Sequence, residues 1–228
     1  MPVESVGVVG SGIMGGGISE VAALARHEVV LRSRELAAAE GTLTGIERSL
    51  DKKVATGALS DKEMKAALAR VRPTDDLHDL ALCDLVIESV VEDMETKRQL
   101  FSELDRICKD DALLATNTST LPVIEIAMAT GRPDKVCGIH FFNPAPQMRL
   151  VEIVQPITAS DETIAAARAF AESCGKKAVL VKDEAGFVVN ALLFPYLNSA
   201  VRLLDRQVAS MEEIDEAMTG GCGFPMGP

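Results

Sequence analysis

The sequence has no tryptophan and one tyrosine in 228 residues, so the aromatic platforms on which nucleic-acid bases or sugars stack are scarce. Cations are also short: 23 Lys and Arg stand against 34 Asp and Glu, a formal charge of −11. A general nucleic-acid binder or a membrane-surface protein needs a basic face, so neither nucleic acid nor membrane is an expected partner. An anionic small molecule stays possible, because a few local cations suffice for it. The five cysteines, at 83, 108, 137, 174 and 222, never form CxxC, which excludes a disulfide framework and a zinc site and points to a reducing compartment. No metal is expected. The sequence contains no apolar run of the roughly 18 residues a membrane helix needs. Met1-Pro2-Val3-Glu4 also lacks the basic start of a signal peptide, so the expected location is cytoplasmic.

What is there is 47% hydrophobic and 25% charged, the balance of a folded chain. The apolar run at residues 5–9 ends at glycine, as a buried parallel strand does. A helix follows to about residue 25, then a strand at 28–31. Residues 34–71 read as helical throughout, split at Gly57 and restarted by a Ser60/Glu63 capping box, so a helical hairpin is expected as an insertion. Strand and helix then alternate: strands at 85–87, 113–115, 136–140, 150–154 and 178–181, helices at 94–108, 123–129 and 161–174. That alternation predicts an α/β fold, a Rossmann-like doubly wound parallel sheet with helices on both faces. From Gly186 the pattern is helical only, one long helix at 187–208 with a kink at Pro195 and another capped by Ser210 and Glu213. The expected domains are 1–184, binding a dinucleotide, and 185–228, the start of an all-helical, apparently incomplete C-terminal domain.

Gly10-Ser11-Gly12-Ile13-Met14-Gly15 fits GxGxxG between a predicted strand and helix, the context in which the pattern carries meaning. The first glycine permits a tight turn, the second a close approach of pyrophosphate, the third helix–strand packing. The second strand ends in Arg32-Ser33-Arg34 rather than in the acidic residue that binds a ribose 2′-hydroxyl. Guanidinium groups suit a 2′-phosphate, so NADP(H) is expected in preference to NAD(H).

Three histidines occur. His27 and His78 are expected to be solvated. His140 ends an apolar strand, where ligands of open α/β sheets bind, and its position fits either a site residue or a hydrogen-bonded structural histidine.

The blocks Gly10-Ser-Gly-Ile-Met-Gly, Asn117-Thr-Ser119-Thr, His140-Phe-Phe-Asn143-Pro, Leu150-Val-Glu152-Ile-Val, Gly186-Phe-Val-Val-Asn190 and Gly223-Phe-Pro-Met-Gly-Pro228 follow one another along the whole chain. In that order they resemble the 3-hydroxyacyl-CoA dehydrogenase family, and within it the single-function 3-hydroxybutyryl-CoA dehydrogenases. The resemblance implies that His140 is the general acid/base, that Glu152 pairs with it, and that Ser119 hydrogen-bonds the substrate's 3-oxygen. It further implies that Asn190 holds substrate and that Glu92, Lys97, Asn117 and Asn143 lie near the nicotinamide ribose. Lys52 or Lys53, in the helical hairpin, would meet the CoA phosphates. The family's further helices, beyond the position of Pro228, complete the C-terminal domain and carry much of a homodimer interface. L-gulonate 3-dehydrogenase shares these motifs, so a sugar-acid oxidoreductase is the alternative, and a non-catalytic nucleotide-binding protein a second one.

Overall fold

A computed structural model describes residues 3–228. Its contacts divide the chain into two compact units, Met1–Glu184 and Ala185–Pro228.

In the first unit eight strands form one sheet: β1 (Ser5–Val9), β2 (Glu28–Arg32), β3 (Val71–Thr74), β4 (Leu85–Glu88), β5 (Leu113–Thr116), β6 (Val136–Phe141), β7 (Leu150–Gln155) and β8 (Lys177–Lys182). Their order across the sheet is β3-β2-β1-β4-β5-β6-β7-β8. The first six, mutually parallel, have the order of a dinucleotide-binding sheet, whose crevice opens where the order reverses beside β1. The helices are α1 (Ile13–Leu24), α2 (Leu36–Ala55), α3 (Asp61–Leu68), α4 (Met94–Ile107), α5 (Val123–Ala127) and α6 (Asp161–Ser173).

Successive side chains of a strand point to opposite faces, so each central strand feeds two cores. Val6, Val8, Leu85, Ile87, Leu113, Ala115, Ile139 and Ile153 pack with residues of α1, α2, α3 and α6 on one face. Val9, Val86, Leu114 and Val136 pack with α4 and α5 on the other. Helices therefore cover both faces of the sheet. The alternation puts His140 and Glu152 on the α4/α5 face, opposite Ile139 and Ile153.

Two expectations are corrected. The stretch at 34–71 is not helical to its end: α3 stops at Leu68 and Val71-Arg-Pro-Thr forms β3 at the sheet edge. An edge strand tolerates Pro73 because one side of it needs no ladder donor. The sheet is also mixed rather than parallel, since β7 runs antiparallel to β6. A parallel return needs a crossover of about a dozen residues or more, and the helix-free segment 142–149 is too short for one. The capping box of Ser60 and Glu63 does form, with Ser60 Oγ accepting from Glu63 N at 3.2 Å.

The second unit contains α7 (Val189–Asp205), which runs unbroken through Pro195 and starts two residues later than expected, α8 (Met211–Glu216) and a π-turn at Ala217–Gly221. Ser210 and Glu213 form a second capping box. Leu192, Phe194 and Val201 on α7 are exposed. Among the described residues no helix is long and apolar enough to cross a membrane.

Candidate active site

The turn after β1 is built by its glycines. Gly10 has φ +114, where a side chain would be strained, and a Cβ there would lie 2.3 Å from the Ser89 carbonyl oxygen. A Cβ on Gly15 would meet the Gly10 carbonyl oxygen at 1.8 Å, so the first turn of α1 can close on the strand only with glycine there. Gly12 differs: nothing lies within 4 Å of a Cβ built on it. Its smallness answers to no protein neighbour, which leaves open space over the start of α1. That helix start has no side-chain cap, so its first N–H groups and partial positive charge are available to an anion. Thr42 of α2 steadies the turn by donating to the Ser11 carbonyl at 2.7 Å, and Ser11 Oγ donates to Ser33 Oγ at 2.9 Å. These features fit a dinucleotide pyrophosphate.

Ile13 and Met14 begin α1, and Ile13 is exposed. At the end of β2, Arg32 Nε donates to the Asp75 carbonyl at 3.4 Å, Ser33 is half-buried and Arg34 exposed.

His140 and Glu152 are direct partners in the β6–β7 ladder. Side chains opposite each other in an antiparallel pair share a face, and His140 Nδ1 lies 2.8 Å from Glu152 Oε2. Both are buried, at 3% and 1% exposure. The other ring nitrogen, Nε2, lies 3.1 Å from Ser119 Oγ. The Phe142 ring packs at 4.5 Å from the imidazole. Hydroxyl, imidazole and carboxylate thus form one chain, arranged as in acid–base relays.

Ser119 belongs to the β5–α5 connection, which is held from two sides. Glu92 Oε1 accepts from Ser119 N at 3.0 Å, from Thr120 Oγ1 at 3.3 Å and from the Thr118 hydroxyl. The Asp183 carboxylate accepts from Val123 N and Ile124 N, capping α5. Burial raises the pKa of Glu92, but the Thr118 hydroxyl, the Lys97 charge and Ser119 N outweigh it and the net direction is down. Asn117 Oδ1 accepts from Phe141 N at 2.8 Å and ties β5 to the end of β6.

Lys97, on α4, is fully buried and bridges Glu88 Oε1 at 2.6 Å and Glu92 Oε2 at 3.2 Å. Glu88 also accepts from Thr116 Oγ1 and Val90 N, both at 2.7 Å. Sequence reasoning missed Glu88, which closes an apolar strand; an acidic residue at a strand's carboxyl end beside the glycine turn was the available signal.

Asn143 is exposed and lies with Gly12 and Ile13 along a cavity of about 310 Å³. Lys53 is paired with the buried Glu20 carboxylate at 2.7 Å, whereas Lys52 is exposed. Asn190 lies in the first turn of α7, in the second unit. His78 is exposed, but His27 is not solvated as expected: it is 8% exposed, bonded to Ser173 Oγ at 2.8 Å and packed on Phe170. Burial lowers its pKa, against a hydrogen bond with the Val3 backbone. Among the described residues no cluster of His, Cys, Asp and Glu could hold a metal ion.

Residues 5–184 match the family model for the 3-hydroxyacyl-CoA dehydrogenase NAD binding domain, and residues 186–228 match that of the C-terminal domain. The chain belongs to the 3-hydroxyacyl-CoA dehydrogenase family. This family member is an oxidoreductase with an NAD-binding domain. It is 43% identical over 228 residues to a 3-hydroxybutyryl-CoA dehydrogenase of Mycobacterium tuberculosis, which covers 99% of the chain and 80% of the relative. It is 44% identical over 221 residues to one from Clostridioides difficile, covering 97% and 79%. The crystal structure of M. tuberculosis FadB2 superposes with a TM-score of 0.96 at 43% identity, over 100% of this chain and 81% of that one.

Proposed function

We propose that the protein interconverts 3-hydroxyacyl-CoA and 3-oxoacyl-CoA, with 3-hydroxybutyryl-CoA and acetoacetyl-CoA as its pair, His140 serving as the acid/base in a dyad with Glu152. The observation that carries this reading is the 2.8 Å contact of His140 Nδ1 with Glu152, made while Nε2 faces Ser119 at 3.1 Å. A nicotinamide dinucleotide held at the glycine turn would supply hydride-transfer chemistry at C3 of the substrate.

The protein's residues handle the proton. Glu152 accepts the Nδ1–H bond, which leaves Nε2 as the basic nitrogen and stabilises the imidazolium that forms. Nε2 takes the C3 hydroxyl proton; imidazole suits this because its ordinary pKa, about 6.5, is near working pH. In the direction of reduction the imidazolium returns the proton to the developing alkoxide, and the Ser119 hydroxyl donates a second hydrogen bond to the same oxygen. Asn190 contacts the substrate and Lys52 the CoA phosphates; Lys53, being paired with Glu20, is the weaker candidate. Glu92, Asn117 and Asn143 line the nicotinamide ribose, with Lys97 acting through Glu92.

Arg32 and Arg34 flank a neutral Ser33 where an NAD site would carry a carboxylate. This favours NADP(H) and a direction of reduction. The residues 1–184 form the dinucleotide-binding domain and 185–228 the start of a helical substrate and dimerisation domain, through which two copies pair in the cytoplasm when that domain is complete. Reduction of acetoacetyl-CoA followed at 340 nm, with NADPH and NADH in parallel, tests the reaction. Turnover favouring NADPH supports both parts; turnover favouring NADH removes the 2′-phosphate site; no turnover with either removes the reaction.

A further inference from the structure

Lys176 is the least expected charge in the first unit. It lies in the turn between α6 and β8 and is 9% exposed, a degree of burial lysine rarely reaches unless it is paired. Its ammonium donates to two main-chain carbonyls instead of a carboxylate, Ala145 O at 2.7 Å and Met148 O at 2.8 Å. Burial lowers its pKa, helped by the Lys53 charge and opposed by Cys174 and Glu20. The acid–base chain of His140 makes no use of it.

Both carbonyls belong to residues 142–149, which connect the strand of His140 to the strand of Glu152. This connection is folded back on itself, with Gln147 N and Met148 N donating to Pro144 O at 3.0 and 3.1 Å. Its outer side rests on α1: a Cβ added to Gly17 would lie 3.1 Å from Ala145 Cβ and Pro146 Cδ. Asn143, Pro144 and Ala145 line the cavity of about 310 Å³ that Gly12 also lines.

We propose that Lys176 is a positioning residue for the dinucleotide: by holding the carbonyls of Ala145 and Met148 it sets the wall formed by Asn143 and Pro144 against Gly12. This rests on the dinucleotide reading given above. Hydrogen bonds from an ammonium are the strong ones, and the buried Ala145 carbonyl, once it loses its donor, must move to regain one. The connection would then shift and change the width of the cavity. His140 and Glu152 would stay, because the β6–β7 ladder and their mutual contact fix them independently.

Lys176→Met keeps the stem and removes every donor, whereas Lys176→Arg keeps charge and donors. Fluorescence titration with NADPH and with NADH reads dinucleotide affinity on the intact protein without turnover, and acetoacetyl-CoA reduction reads kcat. The expected result is a Kd raised about tenfold in Lys176→Met, partly recovered in Lys176→Arg, with kcat at saturating dinucleotide within about threefold of wild type. A lowered Tm with unchanged Kd would make Lys176 structural only and overturn the proposal. A fall in kcat with unchanged Kd would overturn it as well. Should Lys176→Met fail to fold, Lys176→Gln, which keeps an uncharged and shorter donor, takes its place; a raised Kd there supports the proposal and an unchanged one defeats it. A wild-type protein that binds dinucleotide yet leaves acetoacetyl-CoA unreduced would count against the proposed reaction alone, since the Kd comparison needs no chemistry.

Discussion

His140 and Glu152 stand opposite each other in the antiparallel β6–β7 ladder, and their side chains meet at 2.8 Å inside the sheet's α4/α5 face. Their spacing of twelve positions is therefore a register. Insertion or deletion of one residue within β7 would turn Glu152 to the other face, since strand side chains alternate with period two. The carboxylate is oriented by backbone pairing on its own strand, which costs no side-chain ordering when substrate arrives.

Glu152→Gln keeps shape and one acceptor but removes the negative charge that stabilises imidazolium. It is expected to lower kcat by roughly 10²–10⁴-fold, the range in which positioned acid–base groups act. Dinucleotide Kd, read by fluorescence titration, should stay near wild type, because Glu152 lies 1% exposed beside His140 on a strand separated from β1 by β4, β5 and β6. Turnover near wild type would show that the carboxylate is a buried partner without a catalytic role.

Gly12 and Gly15 are expected to fail in opposite ways. A Cβ on Gly12 meets no protein atom within 4 Å, and its φ of −73 suits alanine. Gly12→Ala should thus change unfolding free energy by less than about 0.5 kcal/mol and weaken dinucleotide binding. Gly15→Ala forces a Cβ to 1.8 Å from the Gly10 carbonyl, an overpacking expected to cost about 3 kcal/mol or more. Urea unfolding beside dinucleotide titration separates the two; equal loss of stability in both variants would defeat the assignment of the space above Gly12 to a ligand.

The turn after β1 was legible because local rules and fold agree there: an apolar run, glycines at fixed offsets and a helix start within one short stretch. The six linked motifs carried the rest of the family reading. β3 was not legible, since Val71-Arg-Pro-Thr has little alternation and contains a proline that only an edge position tolerates. The reversal at β7 was readable in principle from the short, helix-free segment between two strands. No sequence signal announced that Lys97 is an interior cation or that His27 is buried. Those facts depend on Glu88 and on Phe170 with Ser173, brought close only by the folded sheet and helices.

Ser33 is the position at which cofactor choice should switch. It sits at the end of β2, bonded to Ser11 of the glycine turn. A carboxylate there would accept from a ribose 2′-hydroxyl and repel a 2′-phosphate. Ser33→Asp is expected to move the ratio of kcat/KM for NADPH over NADH toward NADH by about tenfold or more. Retention of the wild-type ratio would place the discriminating contacts elsewhere than Arg32-Ser33-Arg34.

Asp84 is the group whose titration should be visible in folding. At the start of the strand β4 its Oδ2 accepts from Glu4 N and Ser5 N, both at 2.8 Å, while Oδ1 pairs with the Lys109 ammonium at 2.5 Å. Burial raises its pKa, yet Lys109, Ser5 and Glu4 together outweigh that and hold it at about 2. The folded value is below the unfolded one, about 3.9, so its stabilisation is fully present above that pH and is lost as pH falls through about 2. With the side chain 24% exposed, screening trims the full linkage value to about 1–2 kcal/mol. The difference in unfolding free energy between wild type and Asp84→Asn, from urea melts, should be constant from about pH 8 to pH 5 and shrink between about pH 4 and pH 2. A difference undiminished at the acid end would mean that Asp84 stabilises the start of the β1–β4 pairing by shape and hydrogen bonding alone, its charge contributing nothing.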